Sequence, residues 1–294
     1  MAHVIHQSVE TLFSLEVLIR HNDDIQSLFT TEAGEDIIYP SLKRFKLLYR
    51  GARATRSTSI HVRGTPFPGV EAMWTGYFPF SGDAIFRNVR SLKSLRMTLD
   101  AKKLRGLDSS GVFTKERLPA LRTAYIFSVV DDDDYGAELV DCHLRLVHSL
   151  MQFVSDVAIA DTDVATKLPG YLLGRPSVAG LQALWLKYCN LGLEHLLGLI
   201  QLLPSLRVLK CPVVQLGIHS RKVDSIALAS KMRAKFDMKH AQLRTWRIIN
   251  DDTIPICTIA LFMLVVADLC PKLTRVEFDH TCDVADTISS VVQG

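Results

Sequence analysis

The chain is short of nearly every signature that announces chemistry. Its six cysteines (Cys142, Cys189, Cys211, Cys257, Cys270 and Cys282) form no C-x-x-C pair, so neither a zinc site nor a redox dithiol is expected. Most of them sit within apolar runs, where a free thiol behaves as a small hydrophobe. The phosphate loop G-x-x-x-x-G-K-S/T, the nucleophile elbow G-x-S-x-G, the metalloprotease motif H-E-x-x-H and the dinucleotide fingerprint G-x-G-x-x-G are all missing. His3 and His6 lie beside a terminus, and His143 and His148 are five apart, the wrong spacing for one helical face. No catalytic residue, cofactor site or metal ligand is assigned on these grounds, and a non-enzymatic protein is expected.

Charge of one sign is also lacking. Thirty-four basic residues against 31 acidic ones leave a net +3, less bias than a dedicated nucleic-acid binder carries. Long apolar runs are absent. The best candidate, Ile254–Ala267, contains Pro255 and is followed by Asp268; it falls short of the roughly 20 residues a membrane span needs and predicts a buried helix. The first residues lack the basic-then-apolar pattern of a signal peptide, and none of the four asparagines begins an N-x-S/T sequon. Together these predict a cytoplasmic or nuclear protein with neither nucleic acid nor membrane as partner.

What the chain does have is apolar content, 48% of residues, laid out in a recurring pattern. The motif is apolar-x-x-apolar-x-apolar, clearest at Leu181, Leu184 and Leu186, with Cys189 three positions on. That is the leucine-rich-repeat consensus. Further copies begin at Leu42, Leu92, Leu121, Leu206, Leu243 and Leu273, and weaker ones at Leu12, Val70 and Val154. Such triplets arise by chance in an apolar chain, so phase must carry the argument. The ten starts recur about every 29 residues, the upper end of the range for this repeat class. Five of them follow a proline by two residues (Pro40, Pro68, Pro119, Pro204, Pro271), and five have a basic residue next (Lys43, Lys93, Arg122, Arg207, Arg244). Proline stops a helix and pushes its neighbour toward extended backbone.

Helical periodicity fills some of the intervals. Apolar residues at i, i+3, i+4 spacing mark Ala137–Met151, Leu191–Leu203 and Ile254–Leu269. Short strands alternating with helices predict an α/β protein with a parallel sheet. Helices are wider than the spacing between strands, so a stack of such units is expected to curve, strands on the concave side and helices on the convex side. The expected organisation is a single solenoid over 1–294 with about ten irregular repeats, 1–11 as an N-terminal cap or tail, and an insertion at 218–240. The polar stretch Gly51–Gly64 reads as a surface loop, and Asp131–Asp134 as a solvated turn.

The phrases Pro204-Ser-Leu-Arg-Val-Leu, Pro119-Ala-Leu-Arg, Pro40-Ser-Leu-Lys and Pro271-Lys-Leu-Thr resemble the long, divergent repeats of fungal F-box/leucine-rich-repeat proteins and, more broadly, the ribonuclease-inhibitor-like superfamily. The resemblance implies a horseshoe fold in which the repeats select substrates for a ubiquitin ligase, while an N-terminal F-box recruits the adaptor. Only eleven residues precede the first repeat here, too few for an F-box, so an adaptor is expected as a partner only if that module lies upstream. A regulatory scaffold without a ligase link is the alternative, and an enzyme with an unrecognised site is a third reading, since fold alone never excludes chemistry.

Strand alternation turns positions three, five and seven of each motif to the concave face, with position eight at its edge. Those positions hold Arg44, Lys46 and Tyr49; Trp74 and Tyr77; Arg96; Tyr125 and Phe127; Trp185, Lys187 and Tyr188; Lys210; and Arg247. Asp156, Asp161, Arg275 and Glu277 fall on the same positions. Aromatic and arginine side chains dominate interface energetics, so this face is the expected binding surface for a partner protein.

Overall fold

Every one of the ten triplets becomes a strand that begins two residues after its first apolar position. The computed structural model describes residues 9–19, 25–49, 60–81, 83–128, 136–176, 178–187, 189, 191–212, 230–232, 234–236, 241–250, 266 and 269–280. The strands are β1 (Ser14–Ile19), β2 (Arg44–Tyr49), β3 (Ala72–Thr75), β4 (Ser94–Leu99), β5 (Thr123–Ser128), β6 (Asp156–Ile159), β7 (Ala183–Leu186), β8 (Val208–Pro212), β9 (Thr245–Asn250) and β10 (Arg275–His280). Among the described residues, four α-helices with full bounds join them: α1 (Ala101–Ser110), α2 (Ala137–Met151), α3 (Thr162–Leu172) and α4 (Leu193–Leu202). The protein is α/β.

The chain divides into two compact units, Met1–Val157 and Ala158–Gly294. In unit 1, β1 to β5 pair in chain order, always parallel. Their register aligns the motif position for position: Leu15, Phe45, Met73, Leu95 and Ala124 form one row, and Val17, Leu47, Thr75, Met97 and Ile126 the next. Parallel strands need crossovers long enough to return the chain to the same end, and the intervals supply them. Among the described residues, the early crossovers carry short 3-10 turns at Gln26–Leu28 and Ala84–Phe86. Phenylalanines pack together there. Phe29 meets Phe80 edge-on at 5.3 Å between centroids, and Phe45 lies 4.5 Å from Phe67. Later crossovers are helical. Asp100 caps α1 by accepting from the Lys103 amide at 2.8 Å, and Gly111, at φ 57°, ends it in the left-handed region. The Arg145 guanidinium on α2 donates to Asp108 on α1 at 2.7 Å.

In unit 2, β7 to β10 pair in the same manner. Leu184, Leu209, Trp246 and Val276 share one row, and Cys211, Ile248 and Phe278 another. Asp161 caps α3 by accepting from the Val164 amide at 3.0 Å. Helix α4 buries Leu193, Leu196, Leu197, Leu199 and Ile200. Strand β6 is divided by the boundary: the Asp156 amide donates to the Arg122 carbonyl in unit 1, while the Ile159 carbonyl accepts from the Lys187 amide in unit 2.

Burial follows the rows. Most of the described apolar triplet positions are buried, with Leu12, Val17, Leu273 and Val276 at the two ends half-buried, and most residues between them are partly or fully exposed, Ala158 excepted. The buried face gives the free energy; full burial of a leucine-sized side chain contributes about 1.5–3 kcal/mol. Within the expected insertion at 218–240, Ser230–Met232 and Ala234–Lys235 are helical and the other residues lie outside those described, apart from Phe236. Asp131–Asp134 and most of Gly51–Gly64 also lie outside them, as does the predicted helix Ile254–Leu269 apart from Val266 and Leu269, both buried.

Candidate partner-binding face

A parallel sheet is ordinarily covered on both faces. Here one face of the strands in each unit packs into the core, and the other carries half-exposed cations and aromatic rings. Register decides which of them meet. In unit 1, Glu16, Lys46, Trp74, Arg96 and Tyr125 occupy one row across five strands. The Lys46 ammonium bonds the Glu16 carboxylate at 2.8 Å and also lies 4.7 Å from the centre of the Trp74 ring. The Arg96 guanidinium stacks on the same ring at 4.3 Å and reaches Phe127 at 5.4 Å. Tyr125 donates from its hydroxyl to Asp156 at 3.3 Å. Burial, and then the Asp156 charge, push that phenol above its ordinary pKa. Trp74 remains 36% exposed.

The corresponding row in unit 2 is Trp185, Lys210, Arg247 and Glu277. Two ammonium groups approach the Trp185 ring, Lys187 at 5.8 Å and Lys210 at 5.6 Å. Arg247 and Arg275 both pair with Glu277.

Eleven of the thirteen residues expected on this face sit in the strands or directly after one, and the rows bring Lys46, Trp74, Arg96 and Phe127 together in one cluster and Trp185, Lys187 and Lys210 in another. Arg44 is exposed at the first face position of β2. Tyr49 closes β2 in register with Ile19. Tyr77 lies beyond the end of β3, half-buried, and Tyr188 lies outside the described residues. Glu16 was not expected on this face, although counting to position five of the repeat at Leu12 would have found it.

A second ladder runs along the entry to the strands, one residue before each of them. The Glu71 amide donates to the Lys43 carbonyl at 2.9 Å, Lys93 to Glu71 at 2.8 Å and Arg122 to Lys93 at 2.8 Å; in unit 2, Arg207 donates to Gln182 at 2.8 Å and Arg244 to Arg207 at 2.9 Å. Of the five basic residues noted after a first apolar position, Lys93 and Arg122 are therefore direct neighbours in unit 1, and Arg207 and Arg244 in unit 2. Glu71 separates Lys43 from Lys93 and pairs with Lys93 at 2.6 Å and Lys43 at 3.7 Å. The Lys93 ammonium holds the Glu71 carboxyl below its usual range.

Among the described residues, no cluster of histidine, cysteine, aspartate and glutamate has the arrangement of a metal site, and no helix is long and apolar enough to cross a membrane. A cavity of about 480 Å³ in unit 1 is lined by Asp83, Phe86, Arg87, Asn88, Arg90, Glu116 and Arg117. Asp83 accepts there from Arg117 at 3.1 Å and from Arg87 at 3.5 Å. The described thiols are buried, and burial raises the pKa of all four, the reverse of what a nucleophile requires. No protein-family model matches the chain, and no curated protein does either.

Proposed function

We propose that the chain is a leucine-rich-repeat solenoid that binds a partner protein through the open face of its strands and catalyses no reaction. The observation that carries this reading is the pair of cation–aromatic rows. Lys46, Trp74, Arg96 and Phe127 in unit 1, and Trp185, Lys187 and Lys210 in unit 2, hold large rings half-exposed on regular structure. A ring fixed in this way loses little conformational entropy when a partner covers it, which is the property of an interface anchor. Within this reading, substrate selection for a ubiquitin ligase rests on the resemblance of the proline-led repeats. A scaffold with no ligase link is the alternative. Co-purification of a ubiquitin-ligase adaptor with the full-length gene product separates the two.

The test is affinity capture followed by cross-linking mass spectrometry. Cross-links to the partner should concentrate at Lys46, Lys187 and Lys210 and be sparse at Lys167 on α3. Trp185→Ala and Trp74→Ala should each reduce capture at least tenfold while leaving the melting temperature within a few degrees. Capture unaffected by both substitutions would rule the strand face out.

A further inference from the structure

The face of unit 2 is charged in one sense. Strands β7 to β10, with Arg207 and Arg244 just before β8 and β9 and Lys187 just after β7, carry Lys187, Arg207, Lys210, Arg244, Arg247 and Arg275 against two acidic residues, Glu277 and Asp279. Glu277 is shared by Arg247 and Arg275. That leaves the middle of the face without a counter-charge: Arg207, Lys210 and Arg244 have no carboxylate partner among the described residues. Arg207 and Arg244 are exposed and adjacent, joined through their backbones at 2.9 Å. Like charges side by side on neighbouring strands destabilise a sheet. In unit 1 the neighbouring pair Lys93 and Arg122 is relieved by Glu71, which pairs with Lys93 and also lies next to Lys43. Among the described residues, unit 2 has no carboxylate in that role.

We infer that the strand face of unit 2 takes an extended, acidic peptide segment of a partner protein, with Arg207, Lys210 and Arg244 receiving its carboxylates and Trp185 packing against its apolar residues. The inference rests on the reading of this face as a protein-binding surface and names the partner's chemistry. Arg207 and Arg244, adjacent across two strands, and Lys210 further along β8 form a cluster of cations without a described counter-charge, which complements an acidic segment of a partner. A single-stranded nucleic acid needs an aromatic platform open to base stacking. Among the described face residues of β7 to β10, Trp185 is the one aromatic ring, too few for a run of stacked bases, which favours the peptide.

The experiment measures fluorescence anisotropy of the full chain with three labelled probes: an oligoglutamate of about ten residues, enough to cross four strands; an oligoglutamine of the same length; and an oligothymidylate of similar charge. The oligoglutamate should bind, weakening as salt rises past the point where the Debye length falls below about 8 Å, and the oligoglutamine should not. Arg244→Glu and Lys210→Glu should each weaken binding at least tenfold, while Lys167→Glu, the same charge change on α3, should have little effect. If either face variant lowers the melting temperature, Arg244→Gln and Lys210→Gln are read in its place. Equal binding by face variants and wild type, or tighter binding of the oligothymidylate, overturns the inference. Loss of partner capture by Trp185→Ala with no oligoglutamate binding would leave the binding face standing and remove only its acidic ligand. Capture retained by both Trp185→Ala and Trp74→Ala would remove both.

Discussion

Trp246 donates its indole N–H to the sulfur of Cys211 at 3.1 Å, inside the core of unit 2 and between neighbouring strands. Both residues occupy apolar triplet positions, and neither is more than 1% exposed. The third tryptophan therefore serves the opposite purpose from Trp74 and Trp185. Trp246→Ala should cost about 3–5 kcal/mol, as large-to-small core changes do. Trp246→Phe, which keeps most of the volume and loses the donor, should cost about 1–2 kcal/mol. Urea denaturation measures both, and a cost under 1 kcal/mol for the alanine variant would contradict the packing.

The thiols of Cys189, Cys211 and Cys270 are each pushed up to about 12, chiefly by burial. Thiolate is the reactive form. These three positions should therefore resist iodoacetamide at pH 8 in the native protein and become alkylated in about 6 M guanidinium, as site-resolved mass spectrometry would report. Native-state labelling at Cys211 would show that β8 and β9 open readily.

Tyr39 is fully buried in unit 1 and donates from its hydroxyl to the Leu28 carbonyl at 2.5 Å. Burial raises its pKa from 10.0 to about 12. The folded state thus keeps a proton that the unfolded state releases. The associated stability is whole below pH 10 and is lost as pH rises from 10 toward 12, an effect on the order of 2 kcal/mol for one such group. Alkaline melts of wild type and Tyr39→Phe, which has no proton to lose, should converge between these pH values. Parallel curves would show that Tyr39 does not contribute.

Thr75 interrupts an otherwise apolar row between Leu47 and Met97. It is 1% exposed, and its hydroxyl has no hydrogen-bond partner among the described residues. A buried polar group left unpaired costs about 1–3 kcal/mol. Thr75→Val keeps the shape and removes the cost, so a gain of about 1 kcal/mol is expected in chemical denaturation. A loss would reveal a partner for the hydroxyl.

The strands were the most legible part of the chain because their signal is doubly constrained. Each triplet needs apolar residues at alternating positions, and each must recur in phase with the last. Even the weak copies at Leu12, Val70 and Val154 became β1, β3 and β6. The helix expected at Ala137–Met151 has those same bounds, and the one at Leu191–Leu203 spans Leu193–Leu202. Two helices escaped notice. In α1 only Leu104 and Leu107 are buried, so no apolar stripe marks it; the signals are its ends, Asp100 and Gly111. In α3, Pro169 lies inside the helix and reads as a breaker. The candidate face was legible in its positions and illegible in its pairings. Alternation alone places Trp74 and Arg96 on one face, while their stacking depends on the register between β3 and β4. The neighbouring rim residues Arg207 and Arg244 are 37 positions apart in the chain, and only the ladder makes them adjacent.

The strands hold their alignment although successive starts are separated by anything from 22 residues, between β3 and β4, to 37, between β8 and β9. Position in the sheet is set by the six-residue motif itself, and the length of chain that returns to it is immaterial. Extra residues in a crossover do not displace a single rung. Such a frame can accept long additions between two repeats over evolutionary time, or at the bench, and keep the strand face in register.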